Sequence, residues 1–159
     1  GSSKVKGLEL NYQQQFTFLP GWWSGFGMFA NYTMLDAVGS YGTGEVTAAT
    51  TSEIPGFNPE VGNVGISHIK NRLSLRLQLN HAGRYLNTYN ANQSRLVYRR
   101  ARSVVDFKSV YNFSRHLGVY LDINNVLAEA DRAFEFHGGR PNAIRKMKPQ
   151  FLVGLNGRL

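Results

Sequence analysis

The chain has 159 residues, with 18 Lys plus Arg against 10 Asp plus Glu for a formal net charge of +8, and it holds 10 Phe, 8 Tyr and 2 Trp. A hydrophobic content of 42% with 13% aromatic residues excludes disorder by composition, and the absence of cysteine excludes disulfide scaffolds, thiolate metal sites and cysteine nucleophiles. The longest uncharged stretch, Leu10 to Leu35, contains Gln13, Gln14, Gln15, Pro20 and three glycines, so it is not a lipid-spanning helix.

Period-two alternation dominates the chain, the signature of half-buried strands. The first strand carries Leu8, Leu10, Tyr12, Phe16 and Phe18 and ends in a short turn at Pro20 to Ser24. The second carries Phe26, Met28, Ala30, Tyr32 and Met34, and a long loop follows from about Val38 to Gly62. Val64 and Ile66 mark the third strand, which a tight turn at Lys70-Asn71 joins to the fourth, with Leu73, Leu75, Leu77 and Leu79. A second long loop spans about Gly83 to Ala101. Val105, Phe107, Tyr111 and Phe113 then lead through a tight turn at Ser114 to His116 into Leu117, Val119, Leu121 and Ile123. A third long loop, about Ala128 to Lys148, precedes a last strand with Phe151, Val153, Leu155 and Leu159. The sum is seven strands and no amphipathic helix, an antiparallel meander with short turns on one edge and long loops on the other.

The alternate positions are polar: Ser74, Arg76, Gln78 and Asn80, then Asp106, Lys108 and Asn112, then Asp122 and Asn124. Three residues depart from this pattern, with Gln14 on the apolar face and Phe29 and Leu35 on the polar one. Placing Phe113 opposite Leu117 pairs Phe107 with Ile123 and Lys108 with Asp122, and opposite charges across a strand pair favour that register. A turn at Lys70-Asn71 predicts His68 opposite Leu73, Ile66 opposite Leu75 and Val64 opposite Leu77.

A one-sided apolar sheet is either half of a soluble sandwich or a barrel wall whose greasy face meets lipid. Strands of about 9 to 11 residues, alternating short and long connections, and aromatics such as Phe16, Phe18, Trp22, Trp23 and Phe26 crowded on the short-turn edge favour the barrel wall. Seven strands leave open edges in hydrocarbon, so the expectation is one section of a larger barrel.

The four histidines, His68, His81, His116 and His137, have no metal-ligand spacing, and neither a nucleophile elbow nor a phosphate-binding glycine motif occurs, so no metal, cofactor or catalytic residue is assigned. Residues 1–69 hold two basic and five acidic residues, net −3, and residues 70–159 hold sixteen and five, net +11. Arg95, Arg99, Arg100 and Arg102 cluster with Tyr89 and Tyr98, and Arg140, Arg145, Lys146 and Lys148 form a second group. Such clusters suit nucleic acid in a soluble protein, but on the long-loop edge of a barrel they meet lipopolysaccharide or an anionic substrate. Nucleic acid is therefore not expected as a partner, and the two rival readings are a soluble basic β-domain that binds it and a passive outer-membrane pore.

The segment from Val105 to Tyr111, followed by Leu117-Gly118-Val119-Tyr120-Leu121-Asp122-Ile123-Asn124-Asn125-Val126-Leu127-Ala128-Glu129, resembles the penultimate hairpin of TonB-dependent outer-membrane receptors. Leu19-Pro20-Gly21-Trp22, Ala30-Asn31-Tyr32-Thr33, Ile54-Pro55-Gly56 and Gly83-Arg84-Tyr85-Leu86 are similar to the preceding strands of that family. The resemblance implies that residues 1–159 are the carboxy-terminal section of a 22-stranded transmembrane β-barrel in the outer membrane of a Gram-negative bacterium. It further implies an amino-terminal plug and a TonB-contacting box outside these residues, import of a siderophore-iron, cobalamin or glycan nutrient, and passage through the barrel-assembly machinery. Leu159 stands where a terminal Phe is usual and Gly157 occupies the apolar position two before it, leaving a partial assembly signal on Gly154 and Leu159. Expected substrate contacts at the long-loop edge are Arg84, Tyr85, Tyr89, Arg99 and Arg100. Expected residues of the hydrated lumen wall are Arg76, Gln78, Asn80, Asp106, Lys108, Asp122 and Asn124.

Overall fold

The computed structural model describes residues 2–39 and 51–157. Part of the first long loop and Leu159 lie outside the described residues.

Seven strands form one antiparallel sheet in the order β1-β2-β3-β4-β7-β8-β11. They are β1 (Ser3–Gln15), β2 (Phe26–Gly39), β3 (Glu60–Lys70), β4 (Leu73–Ala82), β7 (Arg102–Asn112), β8 (Leu117–Asn124) and β11 (Gln150–Gly157). These are the seven strands that the alternation predicts, except that Phe16 and Phe18 lie beyond the end of β1 and Phe113 beyond the end of β7. Four further strands, β5 (Tyr85–Thr88), β6 (Val97–Arg99), β9 (Asp131–Glu135) and β10 (Pro141–Arg145), build a second sheet in the order β10-β9-β6-β5. This corrects the reading of 83–101 and 128–148 as plain loops. Strands of three to five residues are too short to print an alternation, and they acquire stability only from one another.

The β7–β8 register is as expected, with Phe107 opposite Ile123 and Lys108 opposite Asp122. The β3–β4 register differs by two residues: His68 faces Leu75, Ile66 faces Leu77 and Val64 faces Leu79. The turn is centred one residue later, on Asn71-Arg72, because Asn71 takes a left-handed φ of 55° that asparagine tolerates. A shift of two preserves which face each side chain occupies, so the sidedness survives the error.

That sidedness decides what the sheet faces. Among the described residues no second layer covers its apolar face. Leu73, Leu75, Phe107 and Ile123 are only half-buried. Leu8, Leu10, Ile66, Leu77, Val153 and Leu155 are exposed, and Phe151 is 69% exposed. Each large apolar side chain left in water would forgo about 1.5–3 kcal/mol of burial energy, so a continuous row of them calls for hydrocarbon. The row is bounded on the long-loop side by polar pairs. Tyr32 donates its hydroxyl to Glu60 at 2.6 Å, and His81 Nδ1 lies 2.8 Å from Ser103 Oγ. From Leu73 to His81 the band runs about 26 Å along β4 at ~3.3 Å per residue, or about 20 Å vertically at a tilt of ~40°.

The one buried hydrophobic cluster among the described residues lies in the second sheet, where Leu86 (1% exposed), Leu96, Tyr98 and Phe134 pack with Tyr89 against them. Tyr98 and Phe134 stack at 5.4 Å. The protein thus keeps its dry core in its connecting segments and leaves its membrane strands bare.

The three exceptions to the alternation have local causes. Phe29 lies over Gly65 on the adjacent strand, where an added Cβ would come within 2.4 Å of its ring, and Leu35 covers Gly7 in the same way. Both point to the polar face and fill space that the glycine leaves. Gln14 lies near the short-turn edge, where its amide donates to the Gln15 carbonyl at 2.9 Å.

Candidate functional site

Opposite the apolar face, strand pairing sets polar side chains in rows across the sheet. Asn11, Asn31, Asn63 and Asn80 occupy successive positions of one row on β1 to β4. Asn63 Nδ2 donates to Asn31 Oδ1 at 2.7 Å, and Asn11 Nδ2 donates to Glu9 Oε1 at 3.0 Å. The row continues through Asn80, which accepts from Gln78 and donates to Asp106 Oδ2 at 2.8 Å. Asp106 Oδ1 in turn accepts the backbone N–H of Asn125 at 2.8 Å.

The expected lumen residues share this face by register. Arg76 is opposite Lys108, Gln78 opposite Asp106, Lys108 opposite Asp122 and Asn124 opposite Gln150. Lys108 Nζ lies 3.7 Å from Asp122 Oδ2, and the Arg76 guanidinium sits 4.2 Å above the Phe29 ring. Asn11, Gln15, Asn31, Phe29, Arg76 and Lys108 line a hollow of about 740 Å³ against this wall. The arrangement is a polar, hydrogen-bonding surface, and among the described residues it carries no paired acid and base. Asp106 and Asp122 each serve a structural partner.

At the long-loop edge the five expected substrate contacts fall together, on or beside the paired strands β5 and β6. Arg84 Nη2 bridges to Glu53 Oε1 at 2.7 Å and its guanidinium lies 4.6 Å from the centre of the Tyr98 ring. Arg99 pairs with Asp131 and also reaches Asn87 Oδ1 at 3.4 Å. Its bond to Asp131 raises the Arg99 pKa further above its ordinary value. Burial, and then a hydrogen bond to Glu53, raises the Tyr98 phenol above its usual range, while Arg84 opposes the rise. Tyr85 stands opposite Arg99 and Tyr89 packs on the hydrophobic cluster. Arg100 is exposed, with no ion-pair partner among the described residues. The three arginines expected to contact substrate therefore divide into Arg84 and Arg99, which hold the loop sheet together through ion pairs, and Arg100, which keeps an open charge.

Sequence reasoning missed the tie between the loops, in which Gly56 N–H donates to the Leu86 carbonyl at 2.8 Å and Phe136 N–H to the Leu96 carbonyl at 2.9 Å. The signal was the apolar set Leu86, Leu96, Tyr98 and Phe134 inside segments read as loops. It also missed the place of His68, which is 2% exposed beneath Trp22 with their rings 4.0 Å apart. At the opposite end of the chain, Gly154 pairs with Tyr120 on the polar face, where a Cβ would meet the phenol at 2.4 Å. Among the described residues no group of three or more His, Asp or Glu could hold a metal ion.

Comparison with known proteins places this geometry. No curated protein matches the chain. The siderophore receptor PiuA from Acinetobacter baumannii superposes with a TM-score of 0.66 at 16% identity, over 97% of this chain and 22% of that one. The unliganded ferric citrate transporter FecA superposes with a TM-score of 0.71 at 13% identity, over 98% of this chain and 24% of that one. The chain thus spans about a quarter or less of the length of these structures, and the likeness is one of fold. The family described as TonB dependent receptor-like, beta-barrel matches residues 1–126. With a bare apolar wall, a polar inner face and an ordered loop edge all in place, the chain belongs to the TonB-dependent receptor β-barrel family and is part of a Gram-negative outer-membrane barrel.

Proposed function

We propose that the receptor containing this wall imports a scarce nutrient across the outer membrane, foremost an anionic iron chelate of the siderophore or ferric citrate class. Cobalamin and glycans are the other classes the family reading allows. In this reading residues 1–159 are the carboxy-terminal section of a 22-stranded barrel, and TonB relays energy through a plug and a TonB-contacting box carried on other parts of the receptor. The observation that supports it is the packed sheet at the long-loop end of an otherwise coreless wall, built from segments 83–101 and 128–148, which hold nine Lys plus Arg against three Asp plus Glu. A rigid cationic rim favours an anionic ligand and raises its local concentration at the mouth.

The ligand is contacted by Arg84, Tyr85, Tyr89, Arg99 and Arg100. Arg100 supplies the open charge, Tyr85 an aromatic surface, and Arg84 and Arg99 act largely through the ion pairs that hold the rim. Lipopolysaccharide phosphates are met by Arg140, Arg145, Lys146 and Lys148, and the barrel-assembly machinery reads the last strand, with Gly154 and Leu159. No bond-breaking chemistry is proposed.

The test is uptake by a receptor-deletion strain complemented with the full-length receptor, supplied with radioiron as ferric siderophore or ferric citrate, or with labelled cobalamin or oligosaccharide. Radioiron should accumulate only when TonB is present, and Arg100→Ala should raise the concentration needed for half-maximal uptake without lowering the amount of receptor in the outer membrane. Uptake indifferent to TonB, as through a passive pore, would overturn the proposal, as would transport of only the uncharged ligands.

A further inference from the structure

The short-turn edge carries a feature that transport does not use. The 3-10 turn Gly21–Gly25 sets Trp22 against the outer wall, where His68 Nε2 lies 3.1 Å from the Trp22 carbonyl and the Phe26 ring is 5.1 Å away. Lys70 fastens the same turn by donating to the Gly21 carbonyl and, at 2.8 Å, to Ser24 Oγ. Those oxygens are neutral, so its charge is not cancelled. On one side of Trp22 lies a hollow of about 480 Å³ lined by Lys70, Asn71, Arg72, Leu73 and Tyr111. On its other side a narrower, almost wholly apolar groove of about 180 Å³ runs between Phe26, Ile66, Leu75, Leu77 and Phe107.

Three facts converge on one occupant. Leu73, Leu75, Leu77, Phe107 and Tyr111 belong to the lipid-facing rows of β4 and β7, so both hollows open toward the bilayer. Short turns of outer-membrane barrels face the periplasm, and tryptophans gather at headgroup level, so Trp22 marks the inner leaflet boundary. Charge there has one sign. Lys70, Arg72 and Arg115 lie on this edge, and residues 10–35, 61–80 and 107–118 contain no Asp or Glu. Arg72 has no ion-pair or side-chain hydrogen-bond partner among the described residues.

We propose that this is a binding site for an anionic glycerophospholipid of the periplasmic leaflet, its headgroup phosphate held between Lys70 and Arg72 and one acyl chain laid past Trp22 into the groove over Leu75 and Leu77. The phosphate accepts charge-assisted hydrogen bonds from both cations, Asn71 and Tyr111 offer polar contacts to the glycerol headgroup, and the chain covers apolar wall. The site lies on the outside of the barrel, opposite the lumen, and stands whether or not the imported nutrient is an iron chelate.

The full-length receptor, delipidated in neutral detergent, is titrated separately with phosphatidylglycerol, phosphatidylethanolamine and lipid A, and bound lipid is counted by native mass spectrometry. Phosphatidylglycerol should be retained in preference to phosphatidylethanolamine. Lys70→Gln combined with Arg72→Gln should weaken its binding by about tenfold or more. Arg72→Gln alone removes a side chain that holds no other element, so it should weaken binding without affecting folding, and heat-modifiable gel mobility confirms the fold. Leu75→Trp, which fills the groove without touching the cations, should also reduce binding. Equal retention of the two phospholipids, retention of lipid A alone, or undiminished binding by the folded Arg72→Gln receptor would overturn the proposal.

Discussion

Asp106 is the joint between the amide row of β1 to β4 and the end of β8, and its removal gives a worked test of the polar wall. Its two oxygens accept from Asn80 Nδ2 and from the Asn125 N–H, each at 2.8 Å. Asn125 is buried, holds a left-handed φ of 56°, and clasps the next turn by accepting from Glu129 N–H at 2.9 Å and donating to the Glu129 carbonyl at 3.1 Å. In Asp106→Ala the Asn125 N–H loses its acceptor in a buried place, which costs about 1–3 kcal/mol, and the Asn80 bond adds about 0.5–1.5 kcal/mol, together about 1.5–4.5 kcal/mol. Lys108→Gln on the same face is the control. Its ammonium is 3.7 Å from Asp122 with 56% of the side chain exposed, a geometry worth about 0–1 kcal/mol. Unfolding of the full-length receptor in denaturant, followed by tryptophan fluorescence, measures both. If Asp106→Ala costs no more than Lys108→Gln, the wall is held by strand pairing alone and the amide row is incidental.

Sidedness is tested by placing one charge on each of two consecutive residues: Leu77→Arg, facing lipid near mid-strand, should cost about 2–4 kcal/mol in a bilayer, whereas Gln78→Arg on the polar face should cost less than about 1 kcal/mol. Folding into vesicles from urea reads both, and equal costs would refute the assignment of faces. Gly65→Val should block barrel assembly, because its Cβ would lie 2.4 Å from the Phe29 ring and 2.8 Å from the Leu77 carbonyl, while Gly157→Ala, with its nearest neighbour at 3.8 Å, should be tolerated. The amount of each variant in outer-membrane fractions decides this. Tyr98 should ionise later than ordinary tyrosine. Because its folded pKa lies above the unfolded value of 10.0, the stability it contributes to the loop sheet is complete below about pH 10 and is lost as pH rises through the folded value. An ultraviolet difference titration of wild type against Tyr98→Phe should show one late phenol, and its absence would show that Tyr98 is not buried against Glu53.

What the sequence determined was everything that a period of two can encode. The run Leu73, Leu75, Leu77, Leu79 against Ser74, Arg76, Gln78, Asn80 states which side of β4 is apolar, and the turn at Ser114 to His116 sets Lys108 against Asp122, because a hairpin's register follows from its turn length. Faces proved more robust than register, since placing the β3–β4 turn one residue early moved every partner by two and left every side chain on its proper side. Only the tertiary structure decided matters that depend on residues distant in sequence. Leu86, Leu96, Tyr98 and Phe134 lie in segments without a repeat, and they form a core only when two loops meet. Asn11, Asn31, Asn63 and Asn80 align only through three strand pairings in succession. Phe29 and Leu35 break the alternation for a reason that lies across the sheet, at Gly65 and Gly7. Local periodicity records the contrast between two solvents on either side of a strand, whereas a contact between loops leaves no periodic trace because chain topology, and not spacing along the chain, brings its members together.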